Sequence, residues 1–439
     1  MRGLFALAAL AGLFGCASIA PLDEAERARI RVVAPAVARF PPKLDFKVPP
    51  GKGEGAVLGG TEMAIRAGQI CVFFIYTGPG FAGCLAAFGG TGAAIGAAVT
   101  PSSEGIAAQV ERVRSPLGAP DVQQLLMQRF SERVTRLTQH TIDLTASKHG
   151  PQSLTDAPTY SGTVAGEDTL VAELAVLWVG ATLVEPTEFF GTDYASRPLH
   201  IGLNARMRLV RPSDGATLMT RYYAVARYGR RLQEYQEDGA RLLKAVAGAV
   251  DEIATLMVDD AFLLRSDAAG TGGATAPAIT ALEPLPSGWC LAPPYDCWAF
   301  NRVPKLDTVS PRFRWQPFPE PGHFETAPWL RAARNIVYDL WILGGDDDRV
   351  VEGLTSTDHT LERPLPYCMR YSWAVRARFD TDRGPRTVEW STTSGFSRMQ
   401  IQSEVQRQTM LESPMWPLFG MPFITPCPAK AGGPSAGRQ

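Results

Sequence analysis

Residues 205–218 read ARMRLVRPSDGATL, and the fold of the middle of the chain follows from them. Ile201, Leu203, Ala205, Met207 and Leu209 alternate with Gly202, Asn204, Arg206, Arg208 and Val210, the period of a β-strand with one apolar and one wet face. Pro212-Ser213-Asp214-Gly215 is turn chemistry, and Leu218 to Tyr228 returns as a second strand, closing a hairpin. Upstream, Leu170 to Val184 (LVAELAVLWVGATLV) is an apolar run suited to a central strand buried on both faces. Between Asp121 and Leu137, after Pro120, the residues Val122, Leu125, Leu126, Phe130, Val134 and Leu137 recur on one helical face. A second helix is expected from about Glu237, with Leu242, Val246, Ala249, Ile253 and Leu256 in register and Asp259 and Asp260 near its end. Residues 105–265 therefore read as an α/β unit.

The rest of the 439-residue chain is sized for further domains. Lys and Arg total 43 against 44 Asp and Glu, a formal net charge of −1, which excludes a generally basic nucleic-acid binder. Gly (42) and Pro (35) punctuate a weakly charged sequence. Residues 17–50, rich in Ala, Arg and Pro and ending at Pro49-Pro50, read as a tether. Residues 266–310 read as a Pro- and Gly-rich linker, and residues 401–439 as a C-terminal tail.

The seventh cysteine makes the count odd. Residues 1–15 have one charge, Arg2, and an apolar run from Leu4 to Phe14 too short to span a bilayer, the make-up of a secretory signal peptide. Leu13-Phe14-Gly15-Cys16 resembles the lipobox of bacterial lipoproteins. That resemblance implies cleavage before Cys16, acylation of Cys16 and a lipid-anchored tether over residues 16–50. Ala17 in place of an inner-membrane retention aspartate implies the outer membrane, with the chain facing the periplasm. Six cysteines remain, an even set compatible with disulfides in an oxidising compartment. Cys290 with Cys297 would close a small loop, and Cys368 with Cys427 would pin the C-terminal tail; other connectivities stay open.

Between Arg66 and Glu104 no residue is charged. Gly51, Gly55 and Gly59, then Gly92 and Gly96, recur at the four-residue spacing that lets helices approach closely. Residues 51–104 are similar to the glycine-zipper segments of outer-membrane lipoproteins, which implies membrane or subunit packing; a Gly- and Ala-rich core segment is the alternative. Gly78-Pro79-Gly80-Phe81-Ala82-Gly83 matches the dinucleotide fingerprint literally, but no alternation of strands and helices continues it into a doubly wound sheet.

Beyond residue 310 the texture is all-β. Phe313-Arg314-Trp315 and Ile336 to Trp341 read as strands. Leu365 precedes Tyr371 by six residues, and Tyr371, Trp373, Val375, Ala377 and Phe379 alternate along a long strand. A tyrosine opening such a strand resembles the tyrosine corner of fibronectin type III domains, with Trp315 as the early core tryptophan and Glu389-Trp390-Ser391 in the last strand. The resemblance covers residues 311–400. The order of elements in 105–265 looks like the small α/β domain of curli-secretion-type and penicillin-binding-protein-activator lipoproteins, which implies an assembly or interaction module.

Motifs that carry chemistry are few. No P-loop or H-E-x-x-H occurs. His140, His149, His200, His323 and His359 are scattered, without zinc-ligand spacing. Asp346-Asp347-Asp348 lacks calcium-loop spacing and reads as a solvated turn. Arg206, Arg208, Arg227, Arg230 and Arg231 give the hairpin a basic side, with Tyr222, Tyr223, Tyr228 and Tyr235 nearby. The expectation is a multidomain α+β envelope lipoprotein: an N-terminal anchor, a Gly-rich helical segment, a small α/β domain and a C-terminal fibronectin-like sandwich. It is expected to be a binding or assembly scaffold rather than an enzyme, with a membrane contact through Cys16, an envelope protein partner and no cofactor or nucleic acid. A subunit of an oligomeric outer-membrane channel is the alternative.

Overall fold

A computed structural model of the chain describes residues 22, 24–47, 121–156, 159–164, 166–183, 198–264, 279–284, 304–344, 347–391 and 421–427. Helix α1 (Glu24–Arg29) leads into strands β1 (Val32–Val37) and β2 (Lys43–Lys47). Helix α2 (Val122–Leu137) follows, then β3 (Thr141–Ile142), β4 (Thr169–Leu183) and the hairpin β5 (Pro198–Val210) with β6 (Thr217–Arg231). A short α3 (Leu232–Glu237) precedes α4 (Gly239–Val258), whose end widens into a π turn, Asp259–Leu263. Both long helices begin where side chains cap them: Asp121 accepts from the Gln124 amide and Asp238 from the Ala240 amide.

These strands form one mixed six-stranded sheet in the order β3-β1-β4-β5-β6, with β2 also on β4. β1, β2 and β4 run parallel, while β4, β5 and β6 are antiparallel. The odd-numbered face of β5, from Ile201 to Leu209, packs under α2 and α4 through Leu126, Phe130, Leu242, Ala249 and Ile253. In the hairpin turn Gly215 adopts φ 71°, the left-handed conformation glycine takes without cost, and the Gly215 amide donates to the Arg211 carbonyl.

The other face is not wet, which corrects the reading of the hairpin. Asn204 and Arg206 are buried, and Arg208 is half-buried. Residues 144–156 and 159–164 lie over this side of the sheet, with Ala146, Tyr160 and Val164 packed on Ala34, Ala36, Val171 and Val210. Arg206 donates to the Leu154 carbonyl, and Arg208 to Glu173 and to the Asp156 carbonyl. Alternation shows which side chains share a face, but not what a later loop lays over that face.

The tether reading also needs correction. β1 is an inner strand, paired with β4 from Val32 to Val37, and Leu22 already lies in the main core. Pro35 disguised it, because proline rarely sits inside a sheet. Even-numbered residues of β1 donate toward β4, as Ala38 does to the Leu174 carbonyl, so the N–H that Pro35 lacks would face the other side. There β3 reaches only Val32 and Val33.

The C-terminal region forms two antiparallel sheets. One has the order β10 (Arg349–Leu354), β9 (Arg334–Leu343), β12 (Arg370–Thr381), β13 (Gly384–Thr387), with β14 (Met421–Ile424) also on β12. The other has the order β11 (Asp358–Thr360), β8 (Arg312–Trp315), β7 (Ala281–Glu283). They enclose a core with Phe313, Trp315, Leu340, Tyr371, Trp373 and Phe423. Two segments read as linker and tail thus each contribute a strand, β7 and β14; both are only three to four residues long, too short to show a period. Cys368 and Cys427 lie at disulfide distance, their Cα atoms 4.4 Å apart, which ties β14 to the start of β12. Among the described residues no helix is long and apolar enough to cross a membrane.

Candidate functional site

Cys16, Gly51, Gly55, Gly59, Gly92, Gly96, Cys290 and Cys297 lie outside the described residues; of the expected sites, only Cys368 and Cys427 fall within them. Two places with unusual side-chain arrangements emerge instead.

The first is a cleft at the end of β1. β1 leaves β4 after Val37, paired with Leu174, and β2 rejoins it at Lys43, paired with Trp178. Between them Pro41 and Pro42 have no amide to offer, so Val176 of β4, paired with Ala205 of β5 on its other side, lacks a strand neighbour here. The Gln123 side chain, in the first turn of α2, takes the neighbour's place: its Oε1 accepts from the Val176 amide at 2.8 Å, and its Nε2 donates to the Val176 carbonyl at 2.9 Å. The same Nε2 donates to the Phe40 carbonyl at 3.0 Å. One buried side-chain amide does the work of a missing peptide, and the sheet stays closed while its surface is left concave. The resulting cleft measures about 770 Å³, with Phe40, Pro41, Pro42 and Leu44 on one wall and Asp121, Gln124, Ser147 and Lys148 on the other. Arg39 and Lys148 are exposed at its rim, and neither has a carboxylate partner among the described residues. Asp121, the one acid in the lining, is held at the helix cap.

The second is the junction between the large sheet and the C-terminal sheets, where charges are buried in pairs. Arg376 of β12 donates to Asp259 in the π turn at 2.5 Å and to Asp339 of β9 at 3.1 Å. Arg378 adds two bonds to Asp339, at 2.6 and 2.9 Å. Trp390 donates its indole N–H to Asp259 at 3.2 Å, and its ring lies 4.4 Å from the Arg376 guanidinium carbon. Burial opposes ionisation of Asp339, but Arg376 and Arg378 outweigh it and hold the carboxyl below the usual range. Burial likewise opposes charge on Arg376, and Asp259 and Asp339 together raise it.

A second buried group crosses the same junction. Arg227 of β6 pairs with Asp348, from the β9–β10 connection, and lies 3.7 Å from Glu252 of α4. Burial pushes the Glu252 carboxyl up to about 7, with Arg227 pulling the other way. The turn read as solvated is thus an anchoring point: Asp348 holds Arg227, and Asp347 holds Arg349 at 3.0 Å. Nearby, Arg221 pairs with Asp260 at 2.7 Å and Arg386 with Glu24 at 3.0 Å. Of the basic residues assigned to a wet strand face, Arg206, Arg227 and Arg208 are buried or half-buried, and Arg230 is half-buried against Glu234.

Each of these carboxylates faces a guanidinium, and Glu252, 3.7 Å from Arg227, is the least closely partnered, its Oε2 accepting no hydrogen bond. His140 rests on the Phe262 ring at 4.9 Å between centroids, and burial lowers it to about 4. Among the described residues no three His, Cys, Asp or Glu side chains gather as a metal would need. The cleft combines an apolar wall with two cations that have no carboxylate partner among the described residues. Neither a known protein family nor any curated protein matches the chain.

Proposed function

We propose that the protein is a lipid-anchored component of a bacterial envelope that binds a protein partner and serves as an assembly scaffold. The cleft is the observation that carries this reading. It is open, walled by Phe40, Pro41, Pro42 and Leu44, and rimmed by Arg39 and Lys148 without carboxylate partners among the described residues. An extended segment with apolar side chains and carboxylates fits that chemistry. The buried carboxylates Asp259, Asp339 and Asp260 are each held by an arginine at the junction.

The C-terminal sheets support a fibronectin type III-like reading. Strands β7, β8 and β11 make one sheet and β10, β9, β12 and β13 the other. Tyr371 opens the long β12, and buried Leu365 lies six residues before it. The anchor rests on the lipobox-like residues ending at Cys16, and the periplasmic face of the outer membrane follows from it.

The cleft is tested by a photo-reactive residue at Gln124, which lies exposed in its wall. In intact envelopes it is expected to trap one partner, and Arg39→Glu with Lys148→Glu is expected to abolish the adduct. An adduct indifferent to both charge reversals, or no adduct, would refute the assignment.

A further inference from the structure

With Leu22 in the core, the distance between the anchor and the folded body becomes short. Only Ala17, Ser18, Ile19, Ala20 and Pro21 separate Cys16 from Leu22. Even fully extended, that span is about 20 Å. The entry point is fastened from several directions. Leu22 is 3% exposed and its carbonyl accepts from Arg27. Arg27 also donates to the Leu264 carbonyl at 2.5 Å, and Glu24 is held by Arg386 of β13 at 3.0 Å. Both halves of the molecule therefore grip the chain where it enters.

The surface around that point carries exposed arginines. Arg29 is 73% exposed, and Arg31 and Arg383 are exposed with no carboxylate partner among the described residues. Glu26 pairs with Arg211 at 2.9 Å and with Arg29 at 3.6 Å, and Asp382 with Arg334 at 2.7 Å; Glu167 and Asp168, exposed just before β4, share this end, the Asp168 carbonyl accepting from the Arg31 amide. His140, the residue before β3, senses Arg27, Arg31 and Arg386 together, and Gln139 lies beside Gly384 of β13. The start of β1, the end of α2 and the β12–β13 turn thus form one end of the molecule. The cleft begins at the other end of β1, about 20 Å along the strand.

Resting on the reading of Cys16 as the acylated residue, we propose that this end of the molecule lies on the anchoring membrane, with Arg29, Arg31 and Arg383 facing anionic phospholipid headgroups. The short link holds the end at the lipid surface, where the arginines reach the headgroups. The cleft is then presented on the side away from the bilayer, toward soluble or distal partners. A long flexible tether would have let the body tumble; a five-residue link does not.

The test uses the full chain, processed in cells and reconstituted into vesicles of phosphatidylethanolamine and phosphatidylglycerol. A photo-reactive residue is placed at exposed Gln139, and separately at Gln124 in the cleft. The expected result is a phospholipid adduct several-fold stronger at position 139 than at 124. The yield at 139 is expected to fall when Arg31→Glu and Arg383→Glu are combined, and to fall again when a 30-residue Gly/Ser spacer, with an end-to-end reach of roughly 30 Å, follows Ser18. Equal adducts at both positions, or none at 139 in protein whose Cys16 carries acyl chains by mass, would overturn the orientation and leave the anchor standing. Adducts unmoved by the spacer would overturn the short link as its cause. An unmodified Cys16 would refute the anchor itself and, with it, this proposal.

Discussion

Gln123 shows what one side chain can decide. It sits in the first turn of an amphipathic helix, where the sequence pattern gives it no part in the apolar face, yet it completes the hydrogen bonding of Val176. Gln123→Ala would strand a buried N–H and a buried carbonyl, at an expected cost of about 2–4 kcal/mol. Chemical denaturation should show this as a lower midpoint with an unchanged slope. Gln123→Glu keeps the acceptor but loses both donations, so it should recover little. His140 makes a second prediction. Burial holds the folded imidazole at about 4, below its usual 6.5. The neutral ring's contribution to stability is complete above 6.5 and is lost as the pH falls from there toward 4. Glu252, held up to about 7 by burial, titrates in the opposite sense over much of that window, so the difference is the test: the melting temperature of the native chain is expected to fall relative to that of His140→Phe between pH 6.5 and 4. None of the five histidines had a sequence signal that separated them; the ring of Phe262, far along the chain, sets His140 apart.

At the level of elements, α4 carries more than its periodicity suggests. Its apolar register was legible, as were α2, β4 and the β5–β6 hairpin, since each is long enough for a period to repeat. What the pattern could not show is why Gly248 stands in mid-helix. A glycine there normally costs about 1 kcal/mol relative to alanine. Here a Cβ would overlap the Arg227 guanidinium and approach Asp348 within van der Waals distance. Because Arg227 is fully buried, it has nowhere to retreat. Gly248→Ala is therefore expected to destabilise the protein despite its gain in helix propensity, and a lower melting temperature would show it. An unchanged or raised value would mean that the pair can shift at no cost. The π turn that ends α4 has a related role: it places Asp259 toward Arg376 and Asp260 toward Arg221.

At the level of the whole molecule, the two halves share one core. Trp341, Leu343, Ala374 and Trp390 of the C-terminal sheets belong to the same apolar cluster as α2, α4 and β5. With Arg376, Asp259 and Asp339 buried across the boundary, neither half can come away without exposing unpaired charge. A single calorimetric unfolding transition is expected, and two well-separated ones would contradict it. Arg376→Met leaves Asp259 with no cation, at an expected cost of about 3–5 kcal/mol. Adding Asp259→Asn should restore part of that loss, because the orphaned charge goes with it; a strictly additive double variant would argue against the coupling.

The sequence by itself determined the mixed class, the long helices and strands, and a cysteine pair that could pin the C-terminal end. Those are local properties, carried by the period and composition of neighbouring residues. Only the tertiary structure decided which charges meet, because Arg376 and Asp259 lie 117 residues apart and pair through the docking of two layers. It alone filled the gap in the sheet with Gln123, covered a face that alternation marked as wet, and put Leu22 in the core. Burial of one residue depends on the whole chain around it, and no window of sequence contains that information.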